Sequence, residues 1–196
     1  MTVGRSATVQ RETTETRVAV ELCIDGSGRA DVRTGIGFLD HLLTAFARHG
    51  GLDLMVRCDG DLHIDDHHTS EDVALCIGQA LDGALADRRG ITRFGYAIVP
   101  LDEALARAVI DISGRPLADI HLGLTREAIG TLAAENIPHV LCSLAMAGQI
   151  TLHVDVLKGV NDHHRAESAF KATAIALRQA VAPSGFDDVP STKGML

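Results

Sequence analysis

The chain has no tryptophan, one tyrosine and five phenylalanines in 196 residues. With 46% hydrophobic residues it can still bury a sound core, as one domain or as two intimately packed half-domains, but that core must be built from Ala, Leu, Val and Ile. Such a composition suits close packing of helices, including between subunits. No apolar stretch reaches the length of a membrane span, and the N-terminus lacks both a signal-peptide core and an Arg/Ser-rich transit character. The expectation is a soluble, cytoplasmic protein without a membrane partner. The four cysteines, Cys23, Cys58, Cys76 and Cys142, sit in apolar patterns without C-x-x-C spacing, as buried reduced thiols do. Lys and Arg number 18 against 26 Asp and Glu, for a formal charge of -8, and they do not cluster. A nucleic-acid partner is therefore excluded, although a local basic pocket remains open to a small anion.

Histidine, in contrast, is concentrated. A short cluster occurs twice, Asp66-His67-His68-Thr69-Ser70-Glu71 and Asp162-His163-His164-Arg165-Ala166-Glu167. Each copy packs two imidazoles and a carboxylate, the ligand set of a borderline divalent transition metal, into six residues. On a helix, His67 and Glu71 face the same way, as do His163 and Glu167, and the second histidine points about 100° further round. Each copy can thus serve two neighbouring metals. A helix N-terminal signature would account for Glu71 and Asp72 but leaves four histidines unexplained.

The repetition extends beyond the clusters. Phe38-Leu39-Asp40-His41-Leu42-Leu43 aligns with Asn136-Ile137-Pro138-His139-Val140-Leu141, 98 residues apart at the histidine, against 96 at the clusters. Each segment opens an Ala-rich apolar helix that ends in a small-residue break, Gly50-Gly51 or Gly148-Gln149. An alternating strand follows (Leu52, Leu54, Val56; Ile150, Leu152, Val154, Val156), then the cluster and a long apolar helix, Val73 to Leu85 or Ala169 to Val181. Upstream strands are predicted over Thr16 to Ile24 and Ala30 to Arg33, and over Phe94 to Val99, Ala106 to Ile112 and Leu117 to Leu122. The pattern specifies an α+β fold of duplicated strands-helix-strands-helix units, with helices packed on a mostly antiparallel or mixed sheet. Gly90 and the polar run 87–89 divide it into a first half-repeat, 1–90, and a second, 91–196, that carries the C-terminal tail.

With these clusters, Gly37-Phe38-Leu39-Asp40-His41, Arg93-Phe94-Gly95, Ser113-Gly114-Arg115-Pro116 and the tail Pro190-Ser191-Thr192-Lys193-Gly194-Met195-Leu196, the chain resembles the imidazoleglycerol-phosphate dehydratase family of histidine biosynthesis from Arg11 to Leu196. Only Leu101, where many members have Met, differs, a volume-conserving change. The resemblance implies a monofunctional enzyme, without the fused phosphatase domain of some members, and a fold shared with the GHMP kinases and a ribosomal small-subunit protein domain. It further implies a 24-subunit homo-oligomer in the cytoplasm with two Mn2+ per active site, the sites lying where subunits meet. One ion would take His41, His68, His163 and Glu167, the other His67, Glu71, His139 and His164. The internal repeat rationalises the split: a His/Glu face from one cluster, the second histidine of the other, and a lone histidine read as belonging to the glutamate's own half.

The family reaction converts D-erythro-imidazole glycerol phosphate to imidazole acetol phosphate and water. The proton that leaves is not acidified by any carbonyl. An imidazolate held between two metals can instead expel the hydroxyl on the neighbouring carbon. By the same resemblance Glu15 is the catalytic acid/base and also contacts substrate, Arg93, Arg115, Ser191, Thr192 and Lys193 take the phosphate, and His49 and Lys171 lie near the substrate. No role attaches to His63, His121 or His153. Two rival readings are a two-metal phosphoesterase, whose sites usually include a bridging carboxylate, and a non-enzymatic metal-binding shell, which needs no phosphate grip.

Overall fold

A computed structural model describes residues 4–196. Among these residues ten strands and four helices alternate in an order that repeats once. The first half runs β1 (Ser6–Glu12), β2 (Thr16–Cys23), β3 (Ala30–Arg33), α1 (Gly37–Gly50), β4 (Asp53–Gly60), α2 (His67–Leu85). The second runs β5 (Phe94–Leu101), β6 (Ala104–Asp111), β7 (Leu117–His121), the short pair β8 (Ala128–Ile129) and β9 (Leu132–Ala133), α3 (Asn136–Ala147), β10 (Thr151–Lys158), α4 (Asp162–Ala180).

Both large sheets have the same order and the same sense. β1-β2-β4-β3 and β5-β6-β10-β7 each pair antiparallel except at the last edge, where β3 lies parallel to β4 and β7 to β10. The alternation read in β2 is the reason one face is buried: Val18, Val20 and Leu22 point inward and Arg17 and Glu21 outward. In the second sheet Ala106, Ala108 and Ile110 of β6 do the same. α2 covers β1 and β2, α4 covers β5 and β6, and across the layer α1 packs on α4 and α2 on α3. The helices therefore lie between the sheets, which brings the start of α1 to that of α4 and the start of α2 to that of α3.

Small residues set the layer thickness. Ala97, Ala106 and Ala108 on the strands face Ala169, Ala172, Ala176 and Ala180 on α4, all buried. A Cβ on Gly95 would strike the Ala176 carbonyl oxygen, so β5 and α4 are in backbone contact there. The α2–α3 crossing has the same device, since a Cβ on Gly78 would come 2.5 Å from the Leu144 carbonyl oxygen.

Three local features differ from the sequence reading. β1, not among the predicted strands, is an edge strand with mostly exposed side chains, and its alternation is short and weak, only Ala7 and Val9 turning toward the core. The β8–β9 hairpin, two residues per strand, is too short to leave a pattern. Arg88, in the polar run expected to separate the halves, is buried and ion-paired with Asp82. Among the described residues no helix is long and apolar enough to cross a membrane.

Candidate metal centre

Each repeated cluster forms the first turn of its long helix, so the His-His step is fixed by helical geometry rather than by a loop. Asn161 caps α4, its Oδ1 accepting the His163 amide at 3.0 Å. The aspartate that opens each cluster anchors the helix start to the segment between β7 and α3. Asp66 Oδ2 accepts the Ala133 amide at 2.7 Å, and Asp162 Oδ2 accepts the Thr125 and Arg126 amides at 2.7 Å each. Sequence inspection assigned these aspartates no task.

Among the described residues two groups of ligand-type atoms gather, His41–His163–Glu167 and His67–Glu71–His139, with all donor atoms of a group within 4.8 Å of one another. In the first, Nε2 of His41 and Nε2 of His163 lie 3.0 and 3.1 Å from the same oxygen of Glu167. Phe38 stacks on His41 and leans on His163, with ring centroids 5.9 and 4.9 Å apart. Burial opposes ionisation of Glu167, but the Lys171 ammonium at 2.7 Å and the His41 hydrogen bond outweigh it and hold the carboxyl down at about 2. A carboxylate charged throughout the neutral range is what a divalent cation requires. In the second group His139 Nε2 meets Glu71 at 3.2 Å, and the His67 and His139 rings stack at 4.9 Å. Asn136 Oδ1, 2.9 Å from His67 Nδ1, sets that ring so that Nε2 is free.

Each group is a two-histidine, one-glutamate set, the donor chemistry of a borderline transition metal, so residues and ion fit. The lone histidine and the glutamate of each group come from opposite halves of the chain. The assignment of each lone histidine to the half of its glutamate is therefore wrong. The reason is the α1–α4 and α2–α3 packing, which crosses the halves.

His68 and His164 join neither group. His68 Nδ1 faces Asp61 at 3.0 Å and Glu15 at 3.8 Å, and His164 Nδ1 faces Glu103 at 2.7 Å. The hydrogen bond from His164, with those of the Asn161 and Val160 amides, holds the Glu103 carboxyl down at about 2. Glu15 stands at the β1–β2 turn, half exposed, and its carboxylate makes no hydrogen bond among the described residues. Asp61, Glu103 and Asn136 escaped the sequence reading; Asn136 lay inside the aligned segment that opens α3, and only the strand register could have singled out Glu103.

The residues expected around the phosphate converge. Arg93 forks onto Asp111 with Nε at 2.7 Å and Nη2 at 3.2 Å, and its Nη1 donates to the Pro190 carbonyl at 2.7 Å, tying down the tail that continues into Ser191, Thr192 and Lys193. Arg115 approaches the same Asp111 to 3.8 Å. The tail's end returns to this corner, since a Cβ on Gly114 would sit 2.6 Å from the Leu196 carbonyl carbon. His49, in the last turn of α1, lies near Lys171, and burial together with that positive charge lowers its pKa. His63, His121 and His153 are exposed and lie outside both groups.

A duplicated α+β fold with two His/Glu groups able to hold metal at the helix starts, and a basic corner at the far end of α4, where the Arg93 amide bonds the Ala180 carbonyl, defines the class as an enzyme with candidate metal sites and a separate patch suited to a small anion. Residues 34–177 match the family described as imidazoleglycerol-phosphate dehydratase. The imidazoleglycerol-phosphate dehydratase of Scheffersomyces stipitis is 50% identical over 221 residues, covering 99% of this chain and 100% of the relative. That of Candida glabrata is 54% identical, covering 97% and 99%. Among solved structures, the imidazoleglycerol-phosphate dehydratase of Staphylococcus aureus superposes with a TM-score of 0.83 at 35% identity, over 91% of this chain and 99% of that one. The Pyrococcus furiosus structure, solved in complex with (S)-C348, gives 0.83 at 37%, over 96% and 100%. The chain belongs to the imidazoleglycerol-phosphate dehydratase family and acts as a dehydratase of histidine biosynthesis.

Proposed function

We propose that the dehydratase works with two manganese ions per active site, one held by His41, His163, Glu167 and His68 and the other by His67, Glu71, His139 and His164, with His68 and His164 supplied by neighbouring subunits. The observation that carries this is the pair of His/Glu groups related by the internal repeat. Histidine-rich ligation suits a metal that must also bind a substrate nitrogen, where oxygen-rich sites favour magnesium or calcium. When bound, such ions supply the Lewis acidity that lowers the pKa of the substrate imidazole.

The chain's own residues do the rest. Glu15, with an uncommitted carboxylate beside His68, moves the proton at the carbon next to the departing hydroxyl. Arg93, Arg115, Ser191, Thr192 and Lys193 grip the phosphate, with Arg93 also fastening the tail through Pro190. Lys171 and His49 face the substrate from the His41 side, and Lys171, 2.7 Å from Glu167, keeps that carboxylate charged and oriented.

The remaining proposals concern organisation: half-repeats 1–90 and 91–196 with a substrate-binding tail, a homo-oligomer of 24 subunits, and a cytoplasmic location. Support for subunit contact comes from the outer face of the second sheet, where Phe94, Tyr96 and Ile98 are 58%, 71% and 59% exposed. Incubation with imidazole glycerol phosphate and manganese tests the activity. The account expects the ketone product; free phosphate would indicate a phosphoesterase, and neither product a metal-binding shell.

A further inference from the structure

The second histidine of each cluster is held by a carboxylate, and the two carboxylates do not come from equivalent places. Asp61 Oδ2 lies 3.0 Å from Nδ1 of His68 and reaches it from the segment between β4 and α2. Glu103 Oε2 lies 2.7 Å from Nδ1 of His164 and reaches it from the β5–β6 turn. In both cases Nδ1 is engaged, so Nε2 is the nitrogen left to point outward. Ordinary surface pairs in this chain lack that regularity, since Asp119 meets His121 at Nε2 but His153 at Nδ1.

Strand register shows what is equivalent to what. Val20 of β2 pairs with Val56 of β4, and Ala108 of β6 pairs with Val154 of β10. Val56 and Val154 are repeat mates, 98 positions apart like His41 and His139. Counting back five residues from Val20 gives Glu15, and five from Ala108 gives Glu103. Glu103 is therefore the counterpart of Glu15, the carboxylate that carries the proton in the reading above. The two have different surroundings. Glu103 is consumed: besides His164, its Oε1 accepts the Val160 and Asn161 amides at 3.1 and 2.9 Å, just ahead of α4. Glu15 is not, because Asp61 occupies His68 in its place while the Asp61 amide bonds the Glu15 carbonyl at 3.1 Å and keeps the two carboxylates side by side.

We infer that Asp61 and Glu103 are positioning residues that orient His68 and His164 for metal, and that Asp61, by taking His68, leaves Glu15 free to exchange protons while its counterpart Glu103 is committed. A twofold-repeated site thereby becomes chemically one-sided. The inference rests on the reading that His68 and His164 bind metal.

The test uses the full-length oligomer dialysed against a series of buffered free-manganese concentrations, with bound manganese read by elemental analysis and electron paramagnetic resonance. D61A and E103A should each weaken one of the two ions by about 10- to 100-fold and spare the other. D61N and E103Q keep an oxygen that can accept the Nδ1 proton and should recover most of the affinity, which separates orientation from a loss of fold. At saturating manganese kcat should fall further in D61A than in E103A, because His68 then captures Glu15; equal values would overturn the division of labour. H68A is the reference. If H68A loses an ion while D61A binds both within twofold of the unsubstituted protein, the inference fails and the metal reading stands. If H68A binds both ions unchanged, that reading falls and takes the inference with it.

Discussion

Replacing Glu15 by Gln separates proton transfer from metal binding. Glu15 lies at a surface turn with its side chain half exposed, and its nearest partner of opposite type is His68 Nδ1 at 3.8 Å, already served by Asp61 at 3.0 Å. Loss of its charge removes no hydrogen bond, so stability should stay within the roughly 0.5 kcal/mol usual for surface substitutions. Manganese content should remain near two ions per subunit. Turnover should nevertheless fall by about 10²- to 10⁴-fold, the contribution of a positioned acid or base. At 1.36 kcal/mol per decade, that is about 3 to 5 kcal/mol of barrier. The assay measures formation of the ketone product at saturating manganese, with metal content determined on the same sample. Wild-type turnover in metal-replete E15Q would refute the assignment, and turnover lost in proportion to metal would show that Glu15 serves the ions instead.

Metal removal should reduce both activity and assembly, because each ion is proposed to join ligands from different subunits; light scattering after verified chelation should show smaller particles that manganese restores, and an unchanged particle would dissociate metal from assembly. R93K should raise the substrate KM about tenfold at unchanged metal content, since an ammonium cannot both fork Asp111 and hold the Pro190 carbonyl; an unaltered KM would remove Arg93 from the phosphate grip. Asp53 has its carboxyl held well below the usual carboxylate range by the Arg29 guanidinium and, against some burial, by the Ser27 and Arg29 amides. A lowered folded-state pKa contributes stability that is present above the unfolded value near about 4 and is lost as pH falls toward the folded value. D53N should therefore lower the Tm of metal-free protein at pH near 7, with the deficit shrinking progressively in acid; a deficit independent of pH would refute the linkage.

Much of the fold was legible because the duplication is written in hydropathy: β2, β4, β6 and β10 alternate, and the helices carry apolar periodicity into the same small-residue breaks. The two clusters were legible because helical spacing alone puts His67 with Glu71 and His163 with Glu167. The crossing of halves came only with the family resemblance, which set His41 with Glu167 and His139 with Glu71, and not from hydropathy or spacing. Which lone histidine meets which glutamate depends on α1 packing against α4 and α2 against α3, a tertiary fact with no local signal. The same holds for Asp61, Asn136 and Glu103, whose sequence surroundings resemble any polar loop or helix start. Glu103 acquires meaning only when the register of β6 against β10 is set beside that of β2 against β4. β1 was missed for a simpler reason: on an exposed edge strand only Ala7 and Val9 turn inward, an alternation too short to stand out.

The central claim is that adjacent histidines of one cluster serve different ions. Anomalous scattering at the manganese edge, measured on crystals of H67A and H68A, reads the two positions separately. The account predicts that H67A empties the position at His67, Glu71 and His139, and that H68A empties the one at His41, His163 and Glu167. Should both substitutions empty the same position and spare the other, each cluster holds its own metal and the crossed arrangement is wrong.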